Sequence, residues 1–570
     1  MKASETTLRT LLEGTKQFQI PLFQRRYSWE KKNWNTLWDD LMSIYNGEVE
    51  DGYFMGTIVT QSTPGTADGI SPFIVIDGQQ RLTTLTLLLV VLRNQFKIQN
   101  NHEAAAEIDE QYLINKFKKD EDYYKILPTQ TDKEIYKSIV KDHQFKVAID
   151  DPERLCNIYQ VFIFLNEKVQ SDKNSIDPER LKQIILNKLL LVNITSDDRD
   201  NPYLIFESLN NKGLDLTQSD LIRNYIFMQF PAEEREGIYQ NEWLPLEQRF
   251  KNNSLSSLGE ELKEFTQSFW FYLRKDGVSI AEKEIYKHMK IRFDKSIDKH
   301  QQLRELIQFS SYYEKLRFPE KELNLELRKH FHSFLRLDFK TCHVFLLNIY
   351  CLYTEEKISL SDFQEILSVL ESYFVRRFFT ENSTRVLGKL FDGLYKEVLS
   401  KDPNNIVDSL KLTLNGYMTS KVFPVDDDFK AAIINTKVYK SANIDRVKFI
   451  LERLEEHIVI RTKEEVTVNS SGLTIEHIMP QSLSSEWKKG LGEECNVIHD
   501  RWLHTLANLT LTADNPALSN KMFIEKKKLY EESKLNLNEY FDGLDNWDAD
   551  AIEKRANELA DMAIEVWSMP

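Results

Sequence analysis

A short apolar run followed by a turn and a long apolar helix constrains the N-terminal part of this chain more than any other feature. Residues 73–76 are typical of a buried strand, and Asp77-Gly78 is a turn signal. From residue 81 to residue 93 the pattern is that of an apolar helix. The sequence therefore predicts a strand, a tight turn and a helix in direct succession.

The start of this helix suits a phosphate group. Free N–H groups and the positive dipole end attract anions there, and Gly78 lets the backbone approach a ligand closely. Arg81 can fork onto phosphate oxygens, while Asp77, Gln79 and Gln80 hold a sugar, a metal ion or a water. An ordinary strand-to-helix turn with a solvated arginine is the competing interpretation.

Length, charge and cysteine spacing narrow the class of protein. A chain of 570 residues is too long for one core, so about two to four domains are expected. The formal net charge of −15 argues against a protein that coats nucleic acid over its whole surface, but it leaves room for a local basic groove. The four cysteines contain no CxxC pair, which predicts free thiols in a reducing compartment.

Neither a signal peptide nor a membrane span is expected. The start, MKASE, has no apolar core, and the apolar run 82–92 is too short to cross a bilayer. We therefore expect a cytoplasmic protein without a membrane partner.

An aromatic and basic segment precedes the first strand. Residues 20–29 read IPLFQRRYSW, which places Arg25 and Arg26 between aromatic rings. Such a surface can bind phosphates and stack a base or ribose. The competing interpretation is an edge segment whose aromatics pack inward and whose arginines pair with Glu30 or Asp39. The helix predicted to follow carries Trp34, Leu37, Trp38 and Leu41.

Two further strands and a helical insertion complete the N-terminal prediction. Residues 53–59 and 189–194 are strand candidates that would join the 73–76 strand in a small sheet. Residues 95–187 are charged and helical in pattern, which indicates a helical insertion between the strands.

A long helical region follows. Thr217 and Asp220 make a capping-box pattern at the start of a helix, and residues 251–257, KNNSLSS, are the best linker in the chain. Residues 260–456 show helical periodicity in almost every window, which predicts a bundle.

Two arginines interrupt an apolar helix inside this region. Residues 373–379 read YFVRRFF. Arg376 and Arg377 either line a nucleic-acid channel or snorkel to the surface and pair with Glu371 or Glu381.

The clearest chemistry lies near the C-terminal end. Residues 474–481 read TIEHIMPQ and predict a strand ended by Pro480, residues 506–512 alternate like a second strand, and residues 519–530 predict a helix. This order of two strands and a helix, with a long loop in the hairpin, can place a histidine, a carboxylate and a downstream amide around one divalent cation.

Phosphodiester hydrolysis needs a base that activates water and a hard cation that neutralises charge on the phosphate. His477 suits the base, while Glu476 with Asn515 or Asn520 can hold Mg²⁺. A purely structural role is the competing interpretation for Glu476 and His477.

The same region offers a basic helix and a second metal set. A DNA backbone could lie along the lysines of the last predicted helix, unless these form only a solvated face. These lysines are Lys521, Lys526, Lys527 and Lys528. A Zn²⁺ site from Cys495, His499 and His504 is conceivable, but no second cysteine pair supports it.

Five ordered stretches resemble one known family. The pattern EHIMPQ…H…LANLTLT…N…LSN…F…KK resembles the HNH (ββα-metal) nuclease domain at the end of GmrSD-type, modification-dependent (type IV) restriction enzymes. IPLFQRRYSW, YFMGTIV, VIDGQQRLTTL and FESLNNKGLDLTQSDLIRN resemble the ParB-like domain that precedes it in those proteins. ESYFVRRFF extends the resemblance into the middle of the chain.

The resemblance implies an α+β fold that is mostly helical. Residues 1–250 would form a ParB-like nucleotide-binding domain, with a small sheet and the helical insertion at about 95–187. Residues 251–460 would form a helical bundle, and residues 461–570 would form the HNH nuclease domain with C-terminal helices.

The resemblance also implies a function. The chain would be a bacterial anti-phage DNA endonuclease that depends on DNA modification and cuts by a one-metal HNH mechanism with Mg²⁺ or Mn²⁺. Its partners would be double-stranded phage DNA and a nucleoside triphosphate that regulates cutting, with GTP, CTP, UTP and ATP left open. A homodimer is compatible with this function.

Site residues follow from the matched motifs. The nucleotide-binding candidates are Asp77, Gly78, Gln79, Gln80, Arg81, Gln24, Arg25 and Tyr27. The catalytic candidates are His477 as general base, Asn508 as the brace of the hairpin loop, Asn515 and His504. The metal candidates are Glu476, Asn515 and Asn520. The DNA-contact candidates are Arg26, Arg376, Arg377, Lys521, Lys526 and Lys527.

Two other functions remain open at this point. One is a ParB-like, nucleotide-switched DNA clamp that does not cut, although a clamp has no chemical need for His477, Asn508 and Asn515 together. The other is a suicide nuclease that acts on host nucleic acid, which the sequence does not separate from restriction.

Overall fold

The structure, a computed structural model, describes residues 2–21, 24–49, 52–63, 69–141, 156–171, 176–196, 205, 217–251, 258–462, 472–513, 518 and 520–570. The chain divides into two units. The first comprises Met1–Pro245 and Met289–Lys299, and the second comprises Leu246–His288 and His300–Pro570.

A six-stranded mixed sheet lies at the centre of the first unit. Its strands are β1 (Lys2–Thr7), β2 (Lys16–Gln19), β3 (Tyr53–Ser62), β4 (Ser71–Asp77), β5 (Ile126–Leu127) and β6 (Leu189–Ser196). Their order is β1-β6-β3-β4-β2-β5. The β1–β6 and β3–β4 pairs are antiparallel, while the other three pairs are parallel. The strands predicted at 53–59, 73–76 and 189–194 are thus confirmed as β3, β4 and β6.

Helices make up most of the rest of the chain, so the predicted α+β, mostly helical fold class is confirmed. In the N-terminal part these are α1 (Leu8–Leu12), α2 (Lys31–Tyr45), α3 (Gln79–Ile98), α4 (His102–Ile108), α5 (Gln130–Val140), α6 (Asn157–Gln170), α7 (Pro178–Asn187), α8 (Gln218–Met228), α9 (Ala232–Ile238) and α10 (Leu244–Lys251). From residue 258 to residue 462 they are α11 (Leu258–Arg274), α12 (Ile285–Lys295), α13 (Lys299–Arg317), α14 (Leu325–Leu337), α15 (His343–Thr354), α16 (Leu360–Phe379), α17 (Leu387–Lys401), α18 (Ile406–Asn415), α19 (Asp426–Asn435) and α20 (Ile444–Thr462).

The predicted strand, turn and helix are present as β4, Gly78 and α3. Helix α3 is buried along nearly its whole length because it is apolar on all sides. Near its end Arg93 is also buried, and its Nη1 donates to Asp109 Oδ1 at 2.9 Å and to the Val140 carbonyl at 2.6 Å. The arginine therefore joins α3 to two later segments of the same unit.

The predicted helical insertion differs from the structure in one respect. Helices α4 to α7 lie within residues 95–187, but β5 returns to the sheet and pairs in parallel with β2. Phe18 N and Ile20 N donate to the carbonyls of Lys125 and Leu127 at 2.7 and 2.9 Å. A two-residue strand leaves no periodicity in a sequence, which explains why the prediction missed it.

Local capping signals are as predicted where the structure describes them. Thr217 accepts a hydrogen bond from the Asp220 backbone N–H, and the Asp220 carboxylate accepts one from the Thr217 N–H. This reciprocal pair starts α8.

A two-stranded antiparallel hairpin and five helices, four of them short, form the described C-terminal part of the second unit. The elements are β7 (Thr474–His477), α21 (Ser485–Leu491), α22 (Cys495–Trp502), β8 (Leu509–Thr512), α23 (Phe523–Glu531), α24 (Asn536–Glu539) and α25 (Ala549–Val566). The predicted order of two strands and a helix is confirmed. Residues 506–508 form a 3₁₀ turn before β8, so the second strand begins later than predicted.

A separate aromatic core supports this hairpin. Trp487, Trp502, Phe523, Phe541 and Trp547 are buried there together. The ring centroids of Phe523 and Trp547 are 5.7 Å apart, and those of Phe541 and Trp547 are 5.4 Å apart. Burial of large rings of this kind holds the hairpin and α23 in fixed relative positions.

Within the ranges that the structure covers, every helix is too short or too polar to cross a lipid bilayer.

Candidate active site

The β7–β8 hairpin positions His477 at the end of a strand. His477 pairs with Leu509, and Glu476 pairs with Thr510. Pro480 follows soon after and ends the strand, because proline cannot donate to a ladder. His477 is buried, with 6% of its surface exposed, and it lines a pocket of about 170 Å³.

Two side chains orient the imidazole of His477. Its Nε2 lies 3.3 Å from His504 Nδ1, and its Nδ1 lies 3.5 Å from Gln481 Nε2. An amide NH₂ only donates, so with this amide orientation Nδ1 carries the lone pair and Nε2–H donates to His504. The nitrogen that can take a proton therefore faces the pocket residue Gln481.

Burial keeps this imidazole neutral. Burial, with smaller contributions from His504, Lys526 and His499, lowers the pKa of His477 to about 4. At neutral pH the ring is therefore unprotonated and can accept a proton from water.

Tyr439 completes the surroundings of the histidine pair, and sequence reasoning missed it. Its ring meets His477 edge to face, with centroids 4.4 Å apart, and stacks on His504 at 5.8 Å. The backbone holds it there, because Tyr439 N donates to the His504 carbonyl at 3.2 Å and Lys437 bridges to Thr505. Only this long-range pairing brings Tyr439 to the pocket, so no local signal could have identified it.

Asn508 ties the hairpin loop together. Its Nδ2 donates to the carbonyls of Met479 and Leu503 at 2.9 and 3.1 Å. Its Oδ1 accepts from Met479 N at 2.8 Å and from Trp547 Nε1 at 3.0 Å. A fully buried amide with all these partners fixes the backbone that follows His477. Asn508 therefore holds the hairpin loop in one conformation.

Glu476 is held by a buried lysine. Lys526 Nζ donates to Glu476 Oε1, and it also donates to the His477 carbonyl at 2.7 Å. Glu476 and Lys526 are 5% and 0% exposed. Burial raises the pKa of Glu476 and lowers the pKa of Lys526, while the mutual attraction of the pair opposes both shifts.

The pocket offers oxygen ligands of the kind that a hard cation prefers. Glu476, Gln481 and Asn520 line it together with His477. Carboxylate and amide oxygens suit Mg²⁺, so this donor set fits the predicted cation. Asn515, the other predicted ligand, lies outside the described residues.

The alternative zinc site finds no support in the same region. His499 Nε2 is 2.9 Å from the Pro480 carbonyl. Among the residues that the structure describes, no three His, Cys, Asp or Glu side chains are grouped so that they could hold a metal ion, and Cys495, His499 and His504 are all described.

The second candidate site lies at the start of α3. Gly78 has φ +91° and begins the helix without any side-chain cap. The Arg81 guanidinium donates to the Thr57 carbonyl and lies against Gly56, where a Cβ would come within 2.8 Å of Arg81 Nη1. Asp77 pairs with Val59 at the end of β4.

Several predicted nucleotide-binding residues join segment 24–30 to β4 and α3. Gln24 Nε2 donates to the Ile76 carbonyl at 2.6 Å, and Gln80 Oε1 accepts from Ser28 N at 2.9 Å. The Tyr27 hydroxyl is 2.6 Å from Thr84 Oγ1, and burial raises the pKa of Tyr27. These contacts connect the aromatic segment firmly to the end of β4 and to α3.

Between segment and helix lies a cavity of about 10 Å³, the room that one water needs. Arg25, Gln79 and Gln80 line it, with Asp132, which sequence reasoning missed. Gln79 Oε1 is buried and has no hydrogen-bond partner among the described residues. Asp132 Oδ2 accepts from Tyr27 N at 2.6 Å.

Two family models match the chain in the places where these sites lie. The model of the GmrSD restriction endonuclease N-terminal domain matches residues 8–227, and that of the GmrSD restriction endonuclease C-terminal domain matches residues 423–562. The two matches together cover more than half of the chain. The chain belongs to the GmrSD restriction endonuclease family. No protein with a curated description matches it.

Family membership gives the coarse function of the chain. As a GmrSD restriction endonuclease, the chain acts on DNA in defence against phage. The C-terminal model includes His477, Asn508 and also Tyr439, while the N-terminal model includes Gly78 and Arg81. The resemblance expected from the sequence is thereby confirmed.

Three of the predicted DNA contacts of this GmrSD endonuclease require correction. Arg376 is 0% exposed and binds Asp426 Oδ1 and the Trp567 and Pro424 carbonyls. Arg377 is 3% exposed, and Lys526 is buried against Glu476. These side chains are therefore internal, since a DNA backbone cannot reach a cation that is fully surrounded by protein. The pairing of Arg376 is with Asp426, not with Glu371 or Glu381.

The remaining basic candidates lie nearer the surface. Lys521 is exposed, and Lys527 is half-buried with its Nζ 3.1 Å from the Leu544 carbonyl. Arg26 is also half-buried. DNA contact by Lys521, Lys527 and Arg26 stays a prediction.

The turn before α3 gives a first testable prediction. We expect Gly78→Ala to lower the free energy of unfolding by about 1–3 kcal/mol, because φ is +91° and a Cβ would lie 2.6 Å from Ile58 Cδ1 and 2.9 Å from the Thr57 carbonyl. Gly237→Ala is the matched control, since a Cβ there meets nothing within 4 Å. Denaturant unfolding of both variants checks this, and equal stability of the two would contradict it.

Proposed function

We propose that the C-terminal domain cuts DNA by an HNH mechanism with His477 as the general base. The observation that carries this proposal is a buried, neutral imidazole at a pocket lined by oxygen ligands, on a hairpin braced by Asn508. A structural histidine needs no open pocket beside its unprotonated nitrogen. A base that activates water needs both a neutral imidazole and a pocket beside it that admits the water.

Each side chain of the pocket has a separate role in the proposed reaction. A water oxygen attacks the scissile phosphorus while His477 Nδ1 takes the water proton, and the bond from phosphorus to the leaving sugar oxygen breaks. His504, at 3.3 Å, holds the imidazole and shares the positive charge that it gains. A divalent cation held by Glu476 and Asn520 would stabilise charge on the phosphate and the leaving oxygen. The Tyr439 ring packs against the imidazole of His477 and limits its rotation.

We further propose that the N-terminal domain binds a nucleoside triphosphate and that binding or hydrolysis controls cleavage of modified DNA. Support comes from the uncapped start of α3, from the left-handed Gly78 and from Gln79 Oε1, which has no hydrogen-bond partner in the described part of the chain. The cavity of about 10 Å³ is too small for a nucleotide, so the ligand would lie on the open side of the turn or displace segment 24–30. GTP, CTP, UTP and ATP are all candidates.

A plasmid-cleavage assay tests both proposals. Full-length protein is incubated with Mg²⁺ or Mn²⁺, with and without each triphosphate, on unmodified DNA, on DNA with glucosylated hydroxymethylcytosine and on DNA with phosphorothioate linkages. We expect cutting of one modified substrate, dependent on one triphosphate and on the metal. Metal-independent cutting would contradict the HNH mechanism, and equal cutting of all substrates would contradict modification dependence.

The same assay separates the alternative functions. Triphosphate turnover with DNA binding but no cutting would favour a nucleotide-switched clamp. Cutting of unmodified host DNA or RNA would favour a suicide nuclease.

A further inference from the structure

A pocket of about 320 Å³ lies in the helical part of the second unit, apart from the residues that line the His477 pocket. Three arginines line it, from three different elements: Arg377 near the end of α16, Arg385 in the loop before α17, and Arg446 in the first turn of α20. The lining also includes Glu381, which lies 3.6 Å from Lys440 Nζ. Arg446 also pairs with Asp338 Oδ2 at 3.4 Å, so the three arginines and Lys440 stand against two carboxylates and the pocket is positively charged on balance.

Arg377 is a buried cation that has no carboxylate partner within the described ranges. Its Nη1 donates to the Val422 carbonyl at 3.1 Å, and its Nη2 donates to the Ser383 and Ser420 carbonyls at 2.8 and 2.9 Å. Its Nε is buried and has no hydrogen-bond partner among the described residues. Buried charges are usually paired with an opposite charge, so a ligand anion in the adjoining pocket would supply what the protein lacks.

Arg385 adds an exposed cation at the mouth of the same pocket. Its backbone N–H donates to Ser383 Oγ at 3.3 Å, while its guanidinium has no hydrogen-bond or ion-pair partner in the part of the chain that the structure covers. Free guanidinium groups in this position can fork onto phosphate oxygens.

The start of α17 strengthens the attraction for an anion. The helix is fifteen residues long, begins at Leu387, which lines the pocket, and its N-cap Val386 provides no side-chain cap. The positive end of the helix dipole therefore lies beside Ser383 and Thr384, which also line the pocket.

Two aromatic residues, Phe339 and Phe378, also line the pocket. The Phe339 ring stacks on Phe374 with centroids 3.9 Å apart, and the Arg446 guanidinium lies 5.6 Å from the Phe339 centroid and 5.9 Å from that of Phe378. Arg446 Nε donates to the Leu337 carbonyl at 2.8 Å, which fixes the guanidinium over the rings. The positive charge is thus held in place before any ligand arrives.

We propose that this pocket binds a phosphate group, held by Arg385, Arg446 and the start of α17, with the buried positive charge of Arg377 beside it. The phosphate belongs either to the backbone of a bound DNA or to a free nucleotide, and the same donors recognise both. The site is independent of the hydrolysis proposed at His477 and has no part in that chemistry.

Hydrogen-exchange mass spectrometry on the full-length protein tests this site directly. Sodium pyrophosphate or a short blunt DNA duplex is added, and exchange is followed in peptides that cover residues 380–390. We expect both the unsubstituted protein and Arg304→Glu to become protected there. Arg304 is a matched control because it is exposed, belongs to the same unit and does not line the pocket.

We expect Arg385→Glu to raise the probe concentration needed for half-maximal protection at least about tenfold. The reason is that a charge-assisted contact becomes a repulsive one. Arg385 is exposed, so this variant should fold normally. Protection by the duplex at lower concentration than by pyrophosphate assigns the site to the DNA backbone, and protection by pyrophosphate alone assigns it to a free nucleotide. No protection by either probe, or equal protection in Arg385→Glu, would overturn the proposal.

Discussion

His477→Ala is expected to reduce the DNA cleavage rate by about 10²–10⁴-fold, which is the usual contribution of a general base. The neutral imidazole is the group beside the pocket that can take a proton from water, since Lys526 is occupied by Glu476 and His504 faces His477 itself. Single-turnover cleavage of the modified substrate measures the effect. If the N-terminal domain hydrolyses a triphosphate as proposed, that turnover should be unchanged.

His332→Ala is the matched control for this substitution. His332 is an exposed histidine on α14, in the same unit as His477, and it does not line the His477 pocket. We expect its cleavage rate to equal that of the unsubstituted protein. If His477→Ala cut as fast as this control, the base assignment would be wrong.

The pH dependence of the same reaction tests the protonation state. An ordinary histidine has a pKa near 6.5 and would lose half of its base form there. Burial lowers the pKa of His477 to about 4, so the neutral form persists through pH 6 and disappears only as the pH falls towards 4. We therefore expect a flat rate profile from pH 8 to about pH 6. A half-maximal rate near pH 6.5 would contradict the burial argument.

Part of this architecture was predictable because the deciding forces are local. The apolar run before Asp77, the left-handed glycine and the apolar helix α3 follow from patterns within one stretch of sequence. The capping box at Thr217 is equally local. The strand that carries His477 was recognisable for the same reason, because Pro480 marks its end.

The missed elements depend on distant partners. Strand β1, KASETT, is mostly polar, and it is a strand because it pairs with β6 far along the chain. Tyr439 reaches the histidine pair through a backbone bridge between Lys437 and Thr505. Neither pairing leaves a pattern near the residue that it positions.

The burial of Lys526 was misjudged although a signal was present. The run of three lysines suggested a solvated face. However, Phe523, Lys526 and Tyr530 are spaced at i, i+3 and i+7, which places them on one side of α23, and all three are buried. A lysine on the apolar face of a helix indicates a buried partner, and here that partner is Glu476.

Lys526→Met is expected to destabilise the C-terminal domain by about 3–5 kcal/mol, the usual cost of breaking a buried ion pair from one side. The substitution leaves the Glu476 carboxylate buried without its ammonium, and the His477 carbonyl loses a donor at 2.7 Å. Denaturant unfolding followed by tryptophan fluorescence reports on this region, because Trp487, Trp502 and Trp547 lie in its core. Lys528→Met, exposed on the same helix, should change stability by no more than about 0.5 kcal/mol.

The double variant Glu476→Gln with Lys526→Met separates stability from catalysis. Removing both charges together should recover part of the lost stability, because no uncompensated charge then remains in the core. Cleavage should nevertheless stay low if the Glu476 carboxylate is needed to hold the cation. Recovery of both stability and cleavage would instead show that Glu476 and Lys526 only support the hairpin, and the cation would then have to rely on the amide oxygens of the pocket.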